Sequence, residues 1–237
     1  ILAETTRITT STTEDKTATA PTTVTTDTSH TTETNNILAP FNPTNALTQT
    51  VALETLFTFS TADDTPDHNA QKPCVLFDLG CGDGRLLLEA VQRYENVVGV
   101  GLELDDKFVQ RAREAAQTQL SPSQQARFQV HQADLTDPVW WQGRSSDADN
   151  QSDTPTTLDY NLWDDATHIY LYLLPKGLRK IQPYLNALVQ ARRQPDGSPS
   201  SPKLQIICCT FSIPEWTPVR VENTGKSGII KTYLYEY

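Results

Sequence analysis

The segment Asp78-Leu79-Gly80-Cys81-Gly82-Asp83-Gly84-Arg85 holds the residues of this chain best suited to binding a ligand through backbone. An apolar run from Val75 enters it, and an amphipathic segment, Leu86 to Tyr94, leaves it. The pattern predicts a strand, a tight turn and a helix start. Glycines belong there because the backbone must adopt conformations closed to residues with a Cβ. They also let a ligand lie against bare backbone, with the N–H groups of the turn and helix start facing its polar groups. The spacing excludes two common ligands. A dinucleotide fingerprint places its third glycine three residues after the second, where this chain has Arg85. A phosphate-binding loop is not completed either. Gly225-Lys226-Ser227 matches only its end, with Arg220 in the place of the first glycine, so this tripeptide is expected to be a turn.

The elements that must position the turn follow in order. Asn96 to Leu104 reads as a second apolar strand with Glu103 at its end, 25 positions after Asp78. A carboxylate there can accept from both hydroxyls of a ribose and repels a phosphate; taken alone it is a solvated strand-end acid beside Asp105 and Asp106. Lys107 to Gln119 reads as a helix with Phe108, Ala112, Ala115 and Ala116 as its apolar stripe, broken by Ser121-Pro122. Arg127 to Gln132 alternates as a strand and leads to Asp134, which by itself would be a loop cap. His131 is expected to be an ordinary strand residue, with no His or Cys at metal-ligand spacing. His168 to Leu174 is the expected fourth strand. Lys176 to Arg193 is the expected helix, with Pro175 in its first turn and Pro183 kinking it. Leu204 to Ile213 is apolar enough for a strand buried on both faces. Val219 to Glu222, residues 223–228 and Ile229 to Tyr237 then read as strand, turn and strand.

The run Asp-Leu-Gly-x-Gly-Asp-Gly-Arg resembles motif I of class I S-adenosylmethionine-dependent methyltransferases. Further likeness comes from Ala39-Pro40-Phe41-Asn42-Pro43-Thr44 before a short helix (Ala46 to Phe57), from Tyr172-Leu173-Leu174-Pro175, and from Ser212-Ile213-Pro214-Glu215-Trp216-Thr217-Pro218. Together these resemble a family of small protein-lysine methyltransferases that includes mitochondrial enzymes acting on the ATP synthase c-subunit and the adenine nucleotide translocase. Asn42, Asn45 and Cys81 depart from that family's usual residues. The Asn/Asp-Pro-Pro-Tyr/Phe motif of enzymes that methylate amide or adenine nitrogens does not occur at the fourth strand. The resemblance implies an α/β, Rossmann-like fold: a seven-stranded, mostly parallel sheet closed by a C-terminal antiparallel hairpin. It implies S-adenosylmethionine as cofactor, held by Asp78, Gly80, Cys81, Gly82, Asp83, Gly84, Glu103 on the ribose, and Asp134 on the adenine. Tyr172, Trp216 and Phe41 are the substrate-slot candidates, with Tyr170 and Phe211 as further aromatic liners. Aromatic faces suit the methylene stem or the cation of a lysine. The default alternative for each ring is a buried structural role.

Composition bounds the rest. Residues 1–36 contain sixteen threonines and almost no large apolar side chain, so a disordered tail is expected. Residues 37–70 are expected as a helical segment and linker. Residues 71–237 are expected as the methyltransferase domain, with polar loop insertions near 143–157 and 194–202. Residues 1–70 carry nine acids and two bases, leaving the domain close to neutral, which does not suit stable nucleic-acid binding. No apolar run is long enough for a signal peptide or membrane span. The four cysteines lack metal or redox spacing and are expected to be buried thiols. The chain starts on Ile and holds no Met, which implies that its native start and any targeting signal lie outside this sequence. An intracellular location, mitochondrial or cytoplasmic, is expected; oligomeric state is left open. The expected reaction is methyl transfer to a protein lysine. The alternatives are transfer to a small molecule or RNA, and cofactor binding without catalysis.

Overall fold

The computed structural model describes residues 45–58, 73–144, 160–193, 203–224 and 230–237. The expected tail, Phe41, most of both insertions, the linker before the first strand and the Gly225-Lys226-Ser227 turn lie outside the described residues. Helix α1 covers Ala46–Thr58. Strand β1 (Cys74–Leu79), helix α2 (Arg85–Arg93), strand β2 (Val97–Glu103) and helix α3 (Asp106–Gln119) follow. Then come α4 (Pro122–Gln125), β3 (Phe128–Gln132), a 3-10 turn (Pro138–Trp141), α5 (Leu162–Asp165) and β4 (His168–Leu171). Helix α6 (Pro175–Ala191), β5 (Gln205–Cys209), β6 (Arg220–Thr224) and β7 (Ile230–Glu236) complete the order.

The seven strands form one sheet in the order β3-β2-β1-β4-β5-β7-β6. Strands β1 to β5 are mutually parallel, while β7 runs antiparallel to both β5 and β6. This is the α/β sheet with a C-terminal antiparallel hairpin that the sequence predicts. The parallel strands are apolar along their whole length because both faces are covered. One face, with Phe77, Val100, Ile169 and Ile206, packs on α6 and the 3-10 turn. The other, with Leu76, Tyr170, Ile207 and Leu234, packs on α1, α2 and α3. Successive side chains alternate between the two, as the strand period of two requires.

Two strands end earlier than the sequence predicts. β4 stops at Leu171, and β5 stops at Cys209 where Thr210 takes a left-handed φ of 70°. A β-branched residue in that conformation cannot continue an extended ladder. Helix α1 runs down the second face beside α2. Thr50 Oγ1 donates to Glu89 Oε1 at 3.0 Å, Arg93 bonds Glu54 at 3.1 Å, and the Phe57 ring lies 4.8 Å from that of His168 at the start of β4. The same helix packs against β5, β6 and β7, so the chain's first described element leans on its last.

Candidate functional site

The order of the sheet reverses between β1 and β4, and in open α/β sheets the ligand crevice lies outside the carboxyl ends of strands at such a switch point. The glycine turn sits there. Gly80, Gly82 and Gly84 all have positive φ, at 90°, 54° and 73°. Gly80 N and Cys81 N donate to Leu102 O at 2.8 and 3.2 Å, which ties the turn to the end of β2. Gly84 also lets α3 close in, because a Cβ there would stand 2.9 Å from Ala112 Cβ. Gly82 N donates to Glu103 Oε2 at 2.8 Å, and Glu103 Oε1 accepts from Asp105 N at 3.0 Å. An N–H that a phosphate cradle would offer to its ligand is therefore held by a carboxylate.

The charge around the turn is negative. Asp78 is 3% exposed, and its carboxyl is pushed well above the usual range by burial first, then by Glu103 and Asp83. Among the described residues no donor is placed against it. The Cys81 thiol is raised by burial and by Asp78 and Glu103, so it stays neutral. Asp83 is the exception. Arg85 grips it at 2.8 and 2.5 Å, and that hydrogen bonding lowers its pKa despite partial burial. The surroundings suit a ligand with positive charge and are poor for a phosphate.

Asp134 follows the end of β3. Its Oδ1 accepts from Thr136 N at 2.8 Å and Thr136 Oγ1 at 2.7 Å, and Ala133 N donates to Glu103 O at 2.8 Å. Tyr184 of α6 donates to Thr136 O at 3.0 Å, which anchors the loop from the other side. Asp78, Glu103 and Asp134 thus stand at the carboxyl ends of three adjacent strands, a span of about 10 Å across the sheet.

The described aromatic candidates are divided between the two faces of the sheet. Tyr170 is 2% exposed in the core beneath α1, so it lines no surface. Tyr172 follows β4 on the same face and is half-buried at the rim. Trp216 packs on the opposite face. Its Nε1 donates to Asn186 Oδ1 of α6 at 2.9 Å, and its ring meets Tyr235 and Tyr237 edge-on at 5.5 and 5.1 Å. Those tyrosines close β7 opposite the start of β5, so Trp216 stands below the strand ends. The chain turns back there after Thr210, and Trp216 packs on the α6 face while Tyr172 packs on the α1 face. Phe211 also packs on the α6 face.

Several residues at this rim were not anticipated. Gly101 must lack a side chain because a Cβ would stand 2.6 Å from Cys81 Sγ. A glycine inside a strand was the available signal of such an approach. Thr136, which orients Asp134, left no mark in the pattern, and neither did the burial of Gln49 on α1, 5% exposed. Among the described residues no group of His, Cys, Asp and Glu is arranged for a metal. None of the described helices is long and apolar enough to cross a membrane.

No protein-family model matches the chain, and no curated protein matches it. Among solved structures it is similar to the candidate methylase HI0767 from Haemophilus influenzae, at 18% identity over 80% of this chain and 98% of that one, TM-score 0.48. It is also similar to TrmN from Thermus thermophilus, at 13% identity over 77% of this chain and 47% of that one, TM-score 0.47. A third is the plantazolicin methyltransferase BamL in complex with a plantazolicin analogue and SAH, at 11% identity over 69% and 46%, TM-score 0.43. The chain spans less than half the length of TrmN and of BamL.

Proposed function

We propose that this protein is an S-adenosylmethionine-dependent methyltransferase whose acceptor is a protein lysine. The observation that carries the cofactor reading is the glycine turn whose Gly82 N–H is held by Glu103, in a setting of Asp78, Asp83 and Glu103. That turn rejects a pyrophosphate and welcomes a cationic nucleoside derivative. S-adenosylmethionine, when bound, supplies a methyl group on a sulfonium, a leaving group that needs no acid. The residues present fit it. Glu103, fixed by two backbone donors, presents its carboxylate to the ribose hydroxyls. Asp134, fixed by Thr136, stands one strand further along for the adenine amino group. Asp78 offers buried negative charge to the ammonium.

The remaining work of the protein is position and desolvation. An acceptor nitrogen has to lie about 3–3.5 Å from the methyl carbon and in line with the breaking bond. A lysine acceptor has also to lose its proton, which a slot of low polarity favours. Tyr172, at the rim after β4, is the described aromatic best placed to flank such a slot. The lysine assignment itself rests on the resemblance of the sequence motifs to the protein-lysine family. The test has two steps. Calorimetry with S-adenosylhomocysteine asks whether the cofactor binds, and no heat at millimolar ligand sinks the cofactor reading. Radiolabelled methyl transfer into an extract from cells lacking the protein, split into protease and ribonuclease arms, then reads the acceptor. Label that survives protease, or that ribonuclease removes, overturns the lysine assignment.

A further inference from the structure

Strand β6 closes the sheet, with β7 on one side and no described strand on the other. Two of the four exposed large apolar side chains among the described residues lie on it or at its entry, Val219 at 60% and Val221 at 44%. An edge with apolar side chains and open backbone groups is a template for another strand.

The direction of those backbone groups follows from the ladder. Leu204 and Tyr237 exchange both backbone bonds at 2.8 and 2.9 Å, and Thr210 N donates to Lys231 O at 2.7 Å. The odd-numbered residues of β7 therefore face β5, and alternation gives its even-numbered ones, Thr232 and Leu234, to β6. Their partners there are Glu222 and Arg220. The same alternation on β6 turns the N–H and C=O of Val221 and Asn223 outward, away from β7. Arg220 and Glu222 share the α1 face with Leu234, while Val221 shares the α6 face with Tyr233. Arg220 and Glu222 bond each other along the strand with side chains 40% and 32% exposed, so both reach the surface of that face.

Charge selects what fits this edge. Only outward residues can bond a second strand, so a second β6 lies antiparallel to the first in registers two residues apart. One register sets Val221 opposite Val221. It brings Arg220 of each copy against Glu222 of the other, twice over, on one face and joins the two valines on the other. The registers on either side set Arg220 against Arg220 or Glu222 against Glu222, like charges directly opposite. Charge is the usual defence of a sheet edge. Here it repels the neighbouring registers and favours one.

We propose that two copies of this chain join through β6, antiparallel about a two-fold axis at Val221, into one continuous sheet. Val221 N of each copy donates to Val221 O of the other, and Tyr233 and Val221 of both copies make an apolar row across the join. The axis stands perpendicular to the sheet, so the parallel strands of the two copies run in opposite directions. The two glycine turns then lie at opposite ends of the joined sheet. This inference does not rest on the cofactor reading.

Sedimentation of the full chain over a range of concentrations reads the pairing. Wild type should pass from monomer to dimer by about 100 µM. Arg220→Glu sets Glu against Glu, and Glu222→Arg sets Arg against Arg, so each variant alone should associate at least about tenfold more weakly. An equal mixture of the two restores opposite charges at both crossings and should give a heterodimer about as tight as the wild-type pair. Each single variant also loses the bond within its own strand, which mixing cannot repair, so the heterodimer isolates the contact between copies. The double variant, R220E with E222R, keeps that bond with its charges exchanged and should dimerise as wild type does. A wild type that stays monomeric at about 100 µM overturns the inference and leaves the edge to an extended segment of another protein. A dimer unaffected by either single variant, a mixture that forms no heterodimer, or a monomeric double variant overturns it equally.

Discussion

Replacing Asp78 with Asn should make the ligand-free protein more stable and the cofactor-binding protein worse. The Asp78 carboxyl is 3% exposed, faces the charges of Glu103 and Asp83, and has its pKa raised well above its ordinary value of 3.8. The sign follows from proton counting. Between 3.8 and the raised folded value, the unfolded chain has released a proton that the folded chain keeps. Stability falls as pH rises through that window, and the full penalty remains above it. The effective cost of burying one ion is several kcal/mol. Asn keeps the shape without the charge but leaves amide hydrogens unpaired, which returns about 1–3 kcal/mol of that cost. A net gain of about 1–3 kcal/mol at neutral pH remains, or about 2–4 °C in Tm for each kcal/mol in a chain of this size. Denaturant titrations of wild type and Asp78→Asn at several pH values provide the assay. The gap between them should be widest near neutrality and close toward pH 4, where the wild-type carboxyl is protonated. Binding of S-adenosylhomocysteine should weaken by about 10- to 150-fold, the loss of a charge-assisted bond. A variant less stable than wild type at neutral pH, or a gap that does not change with pH, refutes the reasoning.

Other outcomes follow from neighbouring features. His168 is buried and its pKa is lowered from 6.5 to about 4, chiefly by desolvation, so its contribution to stability is complete above 6.5 and is lost as pH falls toward 4. At 1.36 kcal/mol per unit this is about 3 kcal/mol, and His168→Gln should flatten that limb of the stability curve. Gly101→Ala should cost about 1–3 kcal/mol by pushing on Cys81, and should weaken cofactor binding because Cys81 belongs to the turn. Calorimetry beside thermal melting separates the two effects. Glu103→Ala should weaken the cofactor by about 1–3 kcal/mol and release Gly82 N and Asp105 N; an unchanged affinity removes Glu103 from the site.

The strands, the glycine turn and the acids at the strand ends were readable because they depend on local rules. Alternation, glycine spacing and a carboxylate closing an apolar run all act within a few residues of one another. What was not readable depends on approach through space. Gly101 looks like any small residue in an apolar strand until Cys81 is brought against it from the turn. Gln49 sits at a polar position of a short helix, and only the docking of that helix makes it a buried, unpaired donor. Trp216 was expected at the substrate slot as an aromatic in the segment Ser212 to Pro218 that resembles the protein-lysine family. Thr210 ends β5 early and turns the chain toward α6, where Trp216 is bonded to Asn186.

The packing of α1 on β5, β6 and β7 bears on how the molecule is made. Contacts between elements so distant in sequence are slow to form, since a long loop must close before they repay it. During synthesis, at roughly 5–20 residues per second, α1 waits on the order of ten seconds or more for its contacts with β6 and β7. Strands β1 to β4 can assemble in that interval with α1 against α2. A nascent chain therefore completes its glycine turn before the last strands back α1, and a nonsense codon before β6 leaves that helix on α2 and β5 without its contacts to β6 and β7.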